Sequence, residues 1–242
     1  METDEKKTYI NYLSDSYEKV NKEFFKNNDF HTSKLKNSIN LFTKESLEER
    51  IPKPKRLEVY ALLSGISFEK SLKSKLSKIQ IEINKLIKEN LKYFVLPENL
   101  GLEHCVFKWP NDDWNETKEK KIIELLKIYP FEPFLLEIIG IQIHSDGCII
   151  AKGYDKSMRM KNIRHFLKEN LDFYPNRQSE WSHIPLGRIL EPIGSKKYEA
   201  LKVFAKRYKN LKITSTLVRE YKFVFEKRWY MEEKEIIKCI GV

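Results

Sequence analysis

The chain has 242 residues, 41% of them hydrophobic and 12% aromatic, enough to bury a sizeable core as one large domain or a domain with an appendage. Its 45 Lys and Arg outweigh 35 Asp and Glu, a formal net charge of +10. That excess favours a polyanionic partner, although lysines spread along the whole chain equally fit a Lys-, Asn- and Ile-rich composition. No run approaches the ~18 apolar residues of a membrane span. The charged N-terminus, Met1 to Lys7, lacks the apolar core of a secretory signal. Cys105, Cys148 and Cys239 are odd in number and far apart, which fits free thiols in a reducing compartment. The expectation is a cytoplasmic protein with no membrane contact, no metal and no cofactor.

Tyr9, Leu13, Tyr17, Val20 and Phe24 recur at helical spacing, and a second helical segment spans 33–50 beyond the turn signal Asn27-Asn28-Asp29. Pro52-Lys53-Pro54 closes this region, because each proline pushes its predecessor out of helix. Residues 1–54 are therefore predicted to be a helical N-terminal extension and 55–242 the main domain. A buried strand is expected over 56–66, ended by Ser64-Gly65, and a long helix from 67 or 68 to about 93, with Leu72, Leu76, Ile79, Ile83, Leu86 and Leu91 on one face. The loop Leu96-Pro97-Glu98-Asn99-Leu100 feeds a strand carrying His104, which Pro110-Asn111-Asp112-Asp113 breaks.

A helix over 116–129 comes next, then a hairpin of 134–144 with 148–154 around Ser145-Asp146-Gly147. Residues 155–171 read as helix, the His183 strand follows Tyr174-Pro175-Asn176-Arg177, 196–208 as helix, and 211 onward as two or three strands. The order β-α-β-α-β-β-α-β-α-β-β is an α+β pattern whose two halves echo one another.

Two histidines stand in apolar strand runs, His104-Cys105-Val106-Phe107 and His183-Ile184-Pro185-Leu186-Gly187-Arg188. One imidazole to take a proton and one to give it is what a metal-independent phosphodiester hydrolase requires. With these motifs and this element order, residues from about 55 onward resemble the two-histidine phosphoesterase superfamily, typified by 2′–5′ RNA ligase-like and cyclic phosphodiesterase proteins. The resemblance implies two pseudo-symmetric lobes with antiparallel sheets around a central cleft. It also implies a phosphodiesterase acting on RNA ends or small oligonucleotides with 2′,3′-cyclic phosphate or 2′–5′ linkages.

In that family each motif is His-x-Thr. Here the hydroxyl positions hold Val106 and Pro185, which removes two donors to the phosphate oxygens. A second register sets Gly101 at the first His position and Glu103 at the Thr position, with no first histidine. The His104 register needs a three-residue longer approach but spaces better to the following helix.

Strict alternation puts Leu102, His104, Val106 and Lys108 on one face, so Lys108 is the natural replacement cation; Arg188 reaches the His183 face only if the strand is bulged at Gly187. The candidate catalytic residues are His104 and His183. Lys108, Arg188, Trp181 and Tyr154 are candidates for phosphate or base contact. The basic run 156–164 is a further candidate for RNA-backbone contact, although such a run is most often a solvated helix face. His31, His144 and His165 read as structural or exposed. Two other readings stay open: a catalytically inactive relative that binds RNA or a nucleotide ligand, and a scaffold whose N-terminal helices dock a protein partner.

Overall fold

The computed structural model describes residues 4–66 and 68–241. Three helices come first: α1 (Asp4–Lys26), α2 (Thr32–Ile39) and α3 (Lys44–Glu48). The helical segment expected over 33–50 is thus split, because Thr43 caps α3 by accepting from the Ser46 N–H. Next come β1 (Arg56–Gly65), α4 (Lys70–Leu86), β2 (Lys92–Phe94), β3 (Gly101–Lys108), α5 (Glu116–Ile128), β4 (Phe134–Ile143) and β5 (Cys148–Asp155). Then follow α6 (Arg159–Asn170), β6 (Ser182–Ile189), α7 (Ser195–Tyr208), β7 (Lys212–Val218), β8 (Glu220–Arg228) and β9 (Glu233–Gly241). The helix expected to reach residue 93 stops at Leu86, and 92–94 instead pair with β6.

The fold is α+β, with two antiparallel sheets in the orders β3-β1-β8-β9 and β2-β6-β5-β4-β7. Apolar stripes of α4, α5, α6 and α7 join Leu62, Leu102 and Phe107 of the first sheet and Ile138, Ile184 and Leu186 of the second in one core. These helices cover one face of each sheet. Gly147 (φ +86°) turns the β4–β5 hairpin, and a Cβ there would meet the Ile189 carbonyl oxygen at 2.1 Å.

The sheets meet where β3 lies beside β6. Arg164 of α6 stitches that seam. Its guanidinium donates to the carbonyls of Glu103 (3.2 Å) and His104 (2.5 Å) on β3, and to those of Glu180 (2.9 Å) and Trp181 (2.8 Å) leading into β6. The Gln178 side chain both accepts from the Val106 N–H (3.0 Å) and donates to its carbonyl (2.7 Å), so it pairs with β3 as a strand would.

The face of the second sheet away from α4–α7 is covered by α1. Tyr9, Leu13 and Tyr17 lie a helical turn apart and pack on Cys148, Ile150, Tyr154 and Met158. Tyr17 donates its hydroxyl to the Gly153 carbonyl (3.2 Å), and Gln142 donates to the Tyr17 carbonyl (2.6 Å). Beyond α1, Asp29 accepts from the N–H groups of Ile193 (2.9 Å) and Gly194 (2.8 Å), tying the extension to the start of α7. Among the described residues no helix is long and apolar enough to cross a membrane.

Tyr17 is 1% exposed, so its truncation leaves a large cavity under α1. Tyr17→Ala is expected to lower the free energy of unfolding by about 3–5 kcal/mol, as buried aromatic-to-alanine changes do. Urea denaturation followed by circular dichroism measures this, and a change below ~1 kcal/mol would mean that α1 is not docked as described.

Candidate functional site

On β6 the side chains of Ile184, Leu186 and Ile189 enter the core, while His183 and Pro185 turn to the face that carries α1. The pairing with β5 slips between Ile149, opposite Gly187, and Ile150, opposite Pro185. This irregularity advances the strand by one residue, so that Arg188 comes opposite Cys148, which belongs to the cluster under α1. The bulge that the sequence required for Arg188 to join His183 is present.

The Arg188 guanidinium is already engaged. Nε donates to the Tyr230 hydroxyl (2.8 Å), and Nη1 donates to Ser38 Oγ of α2 (2.8 Å) and to Asp146 Oδ2 (3.0 Å). Trp181 and Tyr154, the candidate base platforms, both face the ring of Tyr17, at centroid separations of 5.0 and 5.6 Å. The N-terminal helices therefore occupy three of the contacts that sequence reasoning assigned to a ligand.

His183 is partly exposed and packs edge-on to Trp181, with its Nδ1 enclosed and without a hydrogen-bond partner. Burial, helped by His144, Arg164 and Arg188, pushes its pKa down to about 3. His144, just after β4, also packs edge-on to the same indole (5.6 Å), its Nε2 is likewise enclosed, and burial lowers its pKa to about 4. The histidine brought near His183 is thus His144, which sequence reasoning had set aside as a turn residue.

His104 points the other way. It is 1% exposed, packs against Tyr221 (4.7 Å) and Phe134 (6.3 Å), and its Nε2 shares a hydrogen bond with Ser64 Oγ (2.8 Å). Burial and the nearby Arg164 hold its pKa well below the usual histidine range.

The expectation of one face shared by Leu102, His104, Val106 and Lys108 does not hold. Register shifts between Tyr60 and Ala61 and between Leu62 and Leu63 change the phase of β3. Leu102 lies in the main core, while Val106 packs with Val59 and Ala61 on the opposite side. Lys108 is 4% exposed and donates to the Glu58 carbonyl (3.1 Å) and carboxylate (3.4 Å), so it is a strand-edge anchor here.

Glu103, like Val106, turns to the face away from α4–α7. It stands opposite Leu63, which packs with Val224 and Met231. Burial raises its pKa, and on the same face burial pushes Glu226 up to about 8. The register that put Glu103 at the hydroxyl position had contained this signal. Among the described residues no three His, Cys, Asp or Glu side chains are grouped so as to hold a metal ion.

The fold is that of several solved structures. A Thermus thermophilus protein matches 76% of this chain and 97% of its own length at 12% identity, with a TM-score of 0.56. A protein solved as a phosphoesterase matches 77% and 98% at 13% identity and a TM-score of 0.53. E. coli LigT, solved with phosphate, matches 78% and 99% at 12% identity and a TM-score of 0.50. No protein-family model matches the chain, and no curated protein matches it in sequence.

The depressed histidines make a pH prediction with a definite sign. The unfolded chain takes up protons near the ordinary value of 6.5, whereas folded His183 and His144 resist them down to about 3 and about 4. Stability contributed by these rings is present above about pH 6.5 and declines as pH falls below it. The imidazole resonances of His183 and His144 in the native protein are expected to stay flat between about pH 7 and pH 5. A midpoint near 6.5 for either ring would show it to be solvated.

Proposed function

We propose that this chain is a non-hydrolytic relative of the two-histidine phosphoesterases that binds RNA or a nucleotide ligand through its phosphates. The observation that carries this reading is the orientation of β3. A general acid or base must come within about 2.6–3.2 Å of the proton it moves. A ring that is 1% exposed and bonded to Ser64 does not meet that condition. At the neighbouring position that turns away from the core stands the Glu103 carboxyl, which repels a phosphate whenever it is ionised.

Loss of the two hydroxyl positions, now Val106 and Pro185, removes donors worth about 10²–10³ in rate each. Paired-histidine hydrolysis by His104 and His183 is therefore disfavoured. The net charge of +10 and the phosphate-bound LigT of the same fold support retained affinity for phosphate-bearing ligands. In this reading residues 1–54 are an extension added to a phosphoesterase-like domain of 55–242, and the unpaired Cys105, Cys148 and Cys239 suit a cytoplasmic protein.

Incubation with 2′,3′-cyclic mononucleotides and with 2′–5′ oligoadenylate in EDTA tests the proposal. The expected result is no turnover above that of His183→Ala. Turnover that is lost in both His183→Ala and a folded His104→Ala would restore the paired-histidine enzyme and contradict the proposal.

A further inference from the structure

The docking of α1 builds a surface that the two sheets alone would not have. Its outer edge, with Tyr12, runs alongside α6 and the loop 171–181, and together they enclose an open groove of about 720 Å³. A second groove of about 700 Å³ lies on the other side of the same loop, and the two share Pro175 and Asn176. The two adjoin at these residues, and the pair is termed the trough.

Its lining alternates cations and aromatic rings. On the first stretch Lys161 and Lys168 rise from α6, two turns apart on one side of the helix. Lys168 is exposed and makes no ion pair among the described residues. Tyr12 stands opposite, 45% exposed, with its hydroxyl donating to Glu180. That bond, and the ion pair of Glu5 with Lys161, engage the two carboxylates of this stretch.

On the second stretch the Arg177 guanidinium lies 4.4 Å over the Trp109 ring, and the Lys118 ammonium lies 5.5 Å over Phe173. Asp112 accepts from the Trp109 N–H (2.9 Å), and it and the neighbouring Asp113 are the exposed carboxylates of this stretch, set against Arg177 and Lys118. Lys161 and Arg164 belong to the basic run that sequence analysis singled out, and Arg164 forms the floor, held by four backbone carbonyls.

We propose that this trough binds a short single-stranded oligonucleotide, with phosphates along Lys161, Lys168, Arg177 and Lys118 and a base stacked on Tyr12. The inference rests on the binding function proposed above and gives it a site outside the sheet face that α1 occupies. A positively charged groove that follows the backbone, interrupted by rings that take a base of any identity, is the general chemistry of single-strand binding. Each groove is large for a single phosphate and within the size range of sites for drug-sized ligands, so the pair suits several linked nucleotides.

Fluorescence anisotropy with a short labelled oligouridylate tests this on the full chain. Tyr12→Ala is expected to weaken binding about tenfold, as loss of one base stack does. Lys168→Glu and Arg177→Ala should weaken it and lower the slope of log affinity against log salt by about one each. Lys78→Glu on α4 removes the same kind of charge from outside the trough and should weaken binding much less, while Tyr12→Phe should restore most of the affinity lost in Tyr12→Ala. If the unaltered chain binds and the trough variants bind as well as it does, the trough is the wrong site although the binding function stands. If the unaltered chain shows no salt-sensitive binding to the oligouridylate, the trough proposal is overturned, and if it also fails to bind a labelled adenosine nucleotide the binding function falls with it.

Discussion

The structure depends above all on the docking of α1 against the open face of the second sheet. Tyr9, Leu13 and Tyr17 are buried on that face and Phe24 against Tyr198 of α7 and Phe30; each contributes about 1.5–3 kcal/mol of burial, or about 6–12 kcal/mol for the helix as an upper estimate. The net stability of an ordinary domain is about 5–15 kcal/mol. Lifting the helix would therefore cost about as much as unfolding the protein. By that comparison α1 is a fixed wall and not a lid, and the aromatic slot of Trp181 and Tyr154 stays filled by Tyr17.

Small slips in strand pairing set the chemistry on either side of the seam. On β6 one irregularity opposite Ile149 and Ile150 carries Arg188 to the His183 face, where Ser38, Asp146 and Tyr230 hold it. On β3 the irregularities opposite β1 have the reverse effect. They leave the His104 imidazole in the core beside Ser64 and turn Glu103 to the other face. A side-chain period of two means that one residue of shift exchanges an imidazole for a carboxyl. The same backbone architecture can thus keep a histidine in its sequence motif and withdraw it from any ligand.

Much of the architecture was legible from residue pattern alone. Apolar periodicity and turn residues located α1, α4 to α7, the β4–β5 hairpin and the His183 strand, because each reports burial on one local face. The split between α2 and α3 and the three-residue β2 were not legible. Both are set by tertiary pairing, a cap at Thr43 and a partner in β6, and not by local period.

At the site, the conditional placement of Arg188 could be read because Pro185 and Gly187 mark an irregular strand. The orientation of His104 could not, since between Leu102 and Lys108 no proline or glycine marks the change of phase. Nor could any local pattern tell that Tyr17, well over a hundred residues away in sequence, would stand where a base was expected. Long-range packing of an amphipathic helix names its own buried stripe but not the surface it will meet.

Native-state hydrogen exchange of the α1 backbone amides distinguishes a fixed wall from a helix that opens. If the helix is a permanent wall, the amides from Tyr9 to Phe24 exchange only as slowly as those of β5 beneath them, through global unfolding. Exchange of those amides much faster than β5, with the sheet still protected, would show that the helix leaves its face and would contradict this account.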